Sequence, residues 1–317
     1  MRFKVVLVLL LVVAMLGITF AAKITIGYAA RNLFNPYWIA VEKGIKDAAK
    51  KYGVDVILYD ARNDPATQRN NVEDLIQAKV DVILITSIVT GSRDSGAAAD
   101  EAVKAGIPVI GVDTSCGSPR VAVTIRTDNV LGGRLAGEYI AKVLNEKGKV
   151  IVLEGPAGDT NSALRVGGFM EVIKKYPGIK ILASQPADWS REKGLRVMEN
   201  LLQAFPDVDA VFAANDEMAL GAIEALKAAR KLKNTIVVGF DATPDALKSI
   251  KRGEMSATIQ QHPYEEGYMA VEIALKILKG ESFESKVVMR PWPWGIEHAI
   301  EIPATLITSE NVDKYLE

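Results

Sequence analysis

The sequence predicts an α/β protein built as two doubly wound parallel-sheet lobes. Strand-like runs are short and wholly apolar, as in Val82–Ile85 and Ala210–Ala213, the composition of parallel strands covered on both faces. Each run is followed by a stretch long enough for a helix. The alternation is completed once by about residue 125 and then restarts, which implies two such units rather than one.

In chain order, Ile24–Tyr28 is the first expected strand and Pro36–Tyr52 the first helix, with Asn35 as its cap and proline at the first helical position. Strand Asp55–Tyr59 leads to helix Thr67–Ala78, strand Val82–Ile85 to helix Asp94–Ala105, and strand Pro108–Val112 closes the first block. Val121–Ile125 is a further short strand. The second block reads helix Asn129–Asn145, strand Val150–Leu153, helix Ser162–Tyr176, strand Ile179–Ala183, helix Arg191–Phe205 and strand Ala210–Ala213. It continues with helix Glu217–Ala228, strand Ile236–Phe240, helix Pro244–Arg252, strand Met255–Ile259 and a last long helix, Pro263–Leu278.

The N-terminus predicts export. Met1-Arg2-Phe3-Lys4 is basic, Val5–Leu16 is continuously apolar, and Thr19-Phe20-Ala21-Ala22 supplies small residues, the order of a secretory signal. The apolar run falls short of the roughly 20 residues a spanning helix needs, and a strand begins at once after it. Cleavage is expected after Ala21 or Ala22, and no cysteine nearby would take a lipid anchor. The single cysteine, Cys116, has no internal disulfide partner, so a core must hold the mature chain of about 295 residues. Formal net charge is −1, which gives no footprint for nucleic acid or an anionic membrane. Two histidines are too few for a histidine-based metal site, and no cofactor is expected.

Three segments place planar polar side chains just past apolar strands: Asn215 in Asn215-Asp216-Glu217, Asp241 in Gly239-Phe240-Asp241, and Gln261 after Thr258-Ile259-Gln260. In open α/β sheets that is where ligands bind. No nucleophile–base set or metal set accompanies them; His262 stands beside Gln261 without a catalytic partner. This favours holding a polyhydroxylated molecule over transforming it, so no enzyme activity is expected.

Several stretches together resemble the ribose-binding type of periplasmic sugar receptor, a group related to the ligand domains of LacI-type repressors. They are Asn35-Pro36-Tyr37-Trp38, Thr127-Asp128-Asn129-Val130-Leu131-Gly132-Gly133, Ala183-Ser184-Gln185-Pro186-Ala187-Asp188, Ala213 to Gly221 and Val238 to Asp245. The resemblance runs along the mature chain to about Lys286. It implies the type I periplasmic binding protein architecture, with a three-segment hinge. The first lobe would comprise 23–126 plus 262–290, and the second 127–261 plus 291–317, after a signal peptide over 1–22. It also implies ligand contacts at Asn35, Tyr37, Trp38, Thr86, Asp113, Thr127, Arg165, Trp189, Asn215, Asp241 and Gln261. The chemistry fits a sugar. Aromatic rings cover the apolar faces of a pyranose or furanose, while carboxylates, arginine and amides meet hydroxyls that both donate and accept.

The departures bear on ligand identity. Ribose receptors commonly carry arginine where Thr114 stands, and phenylalanines where Tyr37, Trp38 and Trp189 stand. Arg126 lies in the first crossover, either as a ligand contact or as a hinge or surface salt-bridge residue. The Trp292-Pro293-Trp294 tail is also unlike those receptors. The function expected is an exported, monomeric receptor for a neutral monosaccharide or polyol that delivers it to the permease of an ABC transporter. The alternative is a sensing subunit for a membrane chemoreceptor or kinase. A DNA-binding regulator of the same fold would need a helix-turn-helix where the signal segment stands.

Overall fold

The structure is a computed structural model that describes residues 23–90, 96–283 and 287–316. The expected signal segment, 1–22, and the expected start of a helix at Asp94 lie outside the described residues. The first block is β1 (Thr25–Ala30), α1 (Pro36–Tyr52), β2 (Asp55–Asp60), α2 (Pro65–Gln77), β3 (Val82–Ile85), α3 (Gly96–Lys104), β4 (Val109–Val112) and β5 (Val123–Thr127). The second is α4 (Asn129–Val143), β6 (Gly148–Glu154), α5 (Thr160–Ile173), β7 (Ile179–Pro186), α6 (Arg191–Ala204), β8 (Ala210–Ala213), α7 (Asp216–Ala228), β9 (Ile236–Val238), α8 (Pro244–Lys251) and β10 (Ala257–Gln260). The chain then returns through α9 (Pro263–Lys279), β11 (Val287–Trp292), β12 (Gly295–Ile302) and β13 (Thr305–Thr308).

Two sheets result. The first has strand order β11-β12-β5-β4-β3-β1-β2 and the second β13-β10-β9-β8-β6-β7. Each is buried on both faces, which is why the central strands carry no polar alternation. In the first lobe α1 and α9 cover one face over Ile26, Tyr28, Leu84 and Ile110; α2 and α3 cover the other over Ile83, Ile85 and Val109. In the second, α6, α7 and α8 pack over Ile151, Val211 and Val237, and α4 and α5 over Val152, Phe212 and Val238. The chain passes between the sheets three times, at 127–129, 260–263 and 302–305. The first and third crossovers lie side by side, with the Asp128 amide donating to the Ile302 carbonyl at 2.7 Å.

The tail corrects the sequence reading. Residues 291–302 were expected with the second lobe, but β11 and β12 extend the first sheet. Ala299–Ile302 pairs parallel with Thr124–Thr127, and β11 runs antiparallel to β12. Only β13 joins the second sheet, antiparallel to β10. Both sheets are thus parallel with one antiparallel edge strand. The physical reason lies in Arg126. It is wholly buried on β5 and draws Glu297 (2.9 Å) and Glu301 (3.3 Å) of β12 beside it.

Candidate functional site

The carboxyl ends of the strands of both sheets face one cleft, and each contributes a residue held by backbone bonds that continue past the end of the strand. Asp113 follows β4, its amide donating to the Ile125 carbonyl at 2.7 Å; Asp241 follows β9, donating to Ile259 at 2.7 Å and bridging Gln260. Both adopt positive φ, 62° and 124°. Such conformations cost a non-glycine residue about 1–3 kcal/mol and persist where the surroundings impose them. Two carboxylates held this way, in facing lobes, mark the site independently of any motif.

The side chains close into a ring. Arg165 Nη1 donates to Asp241 Oδ1 (3.3 Å), and Gln261 Nε2 donates to the same oxygen (2.5 Å). The Tyr37 hydroxyl lies 3.1 Å from Gln261 Oε1 and 2.8 Å from Asp113 Oδ1. Asp113 Oδ2 accepts from Asn161 Nδ2 (3.1 Å), Asn161 Oδ1 from Asn129 Nδ2 (3.3 Å), and Asn129 Oδ1 from Arg165 Nε (2.7 Å). Tyr37 and Asp113 belong to the first lobe. Arg165, Asp241, Asn129 and Asn161 belong to the second, and Gln261 is in a crossover. Arg165 is fixed further by the Ala214 carbonyl at 2.8 Å and by the Phe240 ring, 4.0 Å from its Cζ.

The structure brings Tyr37, Asp113, Arg165, Asp241 and Gln261 into this ring and sets the other expected residues around it. Asn35 is exposed and caps α1 through Oδ1, which leaves its amide nitrogen free for another partner. Trp38 stands edge-on to Tyr37 at 4.7 Å, with Arg31 5.9 Å from its ring. Trp189 covers the Arg165 guanidinium at 5.4 Å. It fits because Gly155 has no side chain: a Cβ there would lie 2.1 Å from the indole. Asn215 caps α7 and reaches the Trp189 carbonyl at 3.4 Å. Thr127 donates to Glu266 at 2.8 Å. Thr86 is fully buried with its hydroxyl on Tyr28, behind the ring.

Four residues of this neighbourhood escaped the sequence reading. Asn161 was placed in a loop because the helix was expected from Ser162; α5 starts at Thr160, capped by Asp159, and so Asn161 sits in its first turn. Asn129 read as an ordinary helix start. Glu266, in the first turn of α9, drew no reading from the sequence, since an acid there is ordinary helix-start chemistry. Arg31, on the loop after β1, drew no reading from the sequence. Burial lowers its guanidinium from its usual value, against the pull of Asp159 and Asp113.

Burial also sets the electrostatics. It raises Asp113, partly offset by Arg165 and by the Tyr37 bond. It raises Asp241 to about 6 against the same arginine, and raises Glu266 well above the carboxylate range with Asp113 adding to the effect. The lobes also touch directly at the cleft mouth, where Thr90 Oγ1 lies 3.1 Å from Asp159 Oδ2 and accepts from the Thr160 amide.

Arg126 resolves as a buried structural ion pair. Burial pushes the Glu297 carboxyl up, but Arg126, the Trp292 indole and neighbouring hydroxyls outweigh it and leave the group below its usual range. Trp292 and Trp294 stack on each other at 5.3 Å on the β11–β12 hairpin. Among the described residues no cluster of histidine, cysteine, aspartate or glutamate is arranged to hold a metal ion, and no helix is long and apolar enough to cross a membrane.

Comparison with known proteins agrees with this geometry. Residues 26–282 match the family model described as periplasmic binding protein domain. The chain is 45% identical to the ribose import binding protein of Salmonella typhimurium strain LT2, over 84% of this chain and 88% of that protein. Among solved structures, an ABC transporter solute-binding protein from Bacillus halodurans C-125 with bound myo-inositol superposes with a TM-score of 0.81 at 31% identity, covering 93% of this chain and 97% of that one. One from Actinobacillus succinogenes 130z with bound D-allose gives 0.79 at 31% identity, over 92% and 100%. A whole-length match of this kind, on a chain whose two lobes meet in a polar ring, establishes that the protein belongs to the periplasmic binding protein family.

Proposed function

We propose that this chain holds one neutral monosaccharide or polyol between its lobes and hands it to the permease of an ABC transporter. The observation that carries the reading is the ring. It offers charged acceptors at Asp113 and Asp241, a fixed donor at Arg165, and amides at Gln261 and Asn161, drawn from both lobes. A ligand whose hydroxyls replace these mutual bonds leaves no buried polar group unpaired, and groups left unpaired are what make a poor ligand costly. The ligand contacts in this reading are Tyr37, Asp113, Asn161, Arg165, Asp241 and Gln261, with Asn35, Trp38, Trp189 and Asn215 at the rim. Thr86 and Thr127 act from behind.

Charge supports a neutral ligand, because Arg165 is already matched by Asp241. The ligands named for the relatives, ribose, myo-inositol and D-allose, are neutral polyhydroxylated molecules of five or six carbons. Family membership puts the protein outside the cytoplasm. The apolar segment 5–16 supports a cleaved export signal, and the formal net charge of −1 supports a receptor with no nucleic-acid partner; that it acts as a monomer is part of the same proposal.

A thermal-shift screen tests the reading with D-ribose, D-allose, myo-inositol, D-xylose, D-glucose and D-fructose, and with sugar acids and sugar phosphates as controls. At about 100 times its Kd a ligand adds about 2.7 kcal/mol of stability, a clear rise in melting temperature. If only the acidic sugars shift the melt, the charge argument is wrong.

A further inference from the structure

One buried acid beside the ring has no cation of its own. Glu266 is 0% exposed, and among the described residues no lysine, arginine or histidine pairs with it. It lies in the first turn of α9, which is pressed against α1. A Cβ at Gly267 would stand 2.1 Å from the Val41 carbonyl oxygen, and one at Gly44 would stand 2.0 Å from that of Tyr264. This close approach puts the carboxyl under Tyr37. Its two oxygens lie 3.3 and 3.2 Å from the Tyr37 hydroxyl, and Oε1 accepts from Thr127 Oγ1 at 2.8 Å.

The Tyr37 hydroxyl has one proton and faces two carboxyl groups, with Asp113 Oδ1 the nearer at 2.8 Å. One proton cannot serve both. Both carboxyls and the Tyr37 oxygen are satisfied when Glu266 is the neutral acid, donating through Oε2 to the Tyr37 oxygen while Tyr37 donates to Asp113 and Thr127 donates to Oε1; Gln261 Oε1, 3.1 Å from the same hydroxyl, is then left for a ligand donor. Burial and the Asp113 charge push Glu266 well up against its Thr127 and Tyr37 bonds, whereas Asp113 has the Arg165 charge as well as the Tyr37 bond to draw it back down, so Glu266 is the acid that keeps the proton. The titratable and charged groups that face it are Tyr37 of α1, Tyr28 of β1 and Asp113 after β4, with Glu42 of α1 acting on the same Tyr28 and Arg165 of α5 acting on Tyr37. On its own helix, Glu265 turns outward beside His262.

The geometry points to Glu266 as a positioning residue of the binding site: it donates to Tyr37, Tyr37 donates to Asp113, and Asp113 is thereby fixed as a charged acceptor for a ligand hydroxyl. This rests on the reading that the cleft holds a polyhydroxylated ligand, and it adds a selection rule. The ligand group at Asp113 must be a free hydroxyl; a deoxy or O-methyl position there leaves the carboxylate unpaired.

Infrared difference spectra of ligand-free wild type against E266Q, near neutral pH, should show the C=O band of a protonated carboxyl in the wild type; absence of that band overturns the proton chain. Calorimetry with D-ribose, D-allose and myo-inositol between about pH 7 and pH 9, above the range in which Asp241 titrates, supplies the second arm. Wild-type affinity should fall as pH rises and Glu266 loses its proton. E266Q, whose amide donates at every pH, should hold its affinity. E266M should weaken binding by about tenfold, and Y37F should add little to that loss. Identical pH profiles for wild type and E266Q, or fully additive losses in the E266M/Y37F pair, sink the proposal, since a merely structural Glu266 would lower the melting temperature of E266M and change neither. If none of the three binds wild type, the choice of sugar ligands has failed, and the infrared arm alone decides on Glu266.

Discussion

Asp241 is the residue on which the site depends most directly. It accepts from Arg165 and Gln261 and sits on a strained backbone. Asp241→Ala should weaken binding of the best sugar by more than about 2 kcal/mol, about thirtyfold in Kd, because ligand hydroxyls and Arg165 lose their acceptor in a dry cleft; titration calorimetry checks this. Its protonation gives a sign as well. The carboxyl is raised from 3.8 to about 6 in the folded, ligand-free protein. The folded form therefore binds the proton more tightly than the unfolded chain. The stability this group contributes is present below about pH 4 and is lost as pH rises through about 6. Asp241→Asn should accordingly melt higher than wild type at pH 8 and lose that advantage by about pH 4, provided the lobes unfold together. Ligand binding runs the other way. A carboxylate is the stronger acceptor, so wild-type affinity should rise between about pH 5 and pH 7 and that of Asp241→Asn should stay flat over the range. Asp241 was legible because a polar residue directly after an apolar strand is conspicuous. Asn129, Asn161 and Glu266 were not, because Asn and Glu in a first helical turn look like ordinary end chemistry, and only the packing of α1 on α9 and of α4 beside α5 shows what they reach.

At the level of elements, the strands of both blocks were legible from their unbroken apolar runs, and the first helix from Asn35 before Pro36. The hairpin β11–β12 was not. Its residues alternate and include Pro291 and Pro293, and its partner strand is some 170 positions earlier in the chain, so no local signal specifies which sheet it joins. The Arg126 cluster supplies that choice: Arg126 meets Glu297 and Glu301, Glu297 also takes Thr124 and the Trp292 indole, and Glu301 takes Arg290. Removing one partner of such a buried group leaves uncompensated charge. Arg126→Met should lower stability by about 3–5 kcal/mol in chemical denaturation, while sugar affinity measured well below the transition stays within about twofold. A large loss of affinity with unchanged stability would instead move Arg126 into the site. Gly155→Ala is the complementary case on the second lobe. Its Cβ would collide with the Trp189 ring, so the indole must leave the Arg165 face. Affinity should fall by severalfold, with the lost indole–guanidinium contact contributing about 0.5–2 kcal/mol.

The whole molecule adds what neither scale contains, a ring that exists only when the lobes are together. In the present conformation the cleft is closed on itself. Asn161 reaches Asp113, Thr90 meets Asp159, and the Thr160 amide donates to Thr90, so three bonds span the lobes without a ligand. A ligand can shift the open–closed balance only by the difference between its affinities for the two states, and a molecule touching both Asp113 and Asp241 binds fully to the closed one alone. The crossovers at 127–129, 260–263 and 302–305 are short and lie beside the ring, with Gln261 itself in one of them, so rotation there separates Asp113 from Arg165 and Asp241 without disturbing either core. Hinge closure around a ligand is the general behaviour of periplasmic binding proteins, and the particular expectation here concerns the direct contacts. Small-angle scattering should show the radius of gyration falling when a saturating sugar is added. Replacing Thr90 by Val together with Asn161 by Ala should raise the radius of the ligand-free protein above that of wild type, because the closed state then loses its own bonds and relies on the ligand alone. The same variant should bind its sugar more weakly, both through the closed population it has given up and through loss of the Asn161 contact to the ligand. A ligand-free radius that does not respond to the double substitution would show that these three bonds do not hold the lobes together, and a radius that does not respond to sugar in wild type would remove closure from the account altogether.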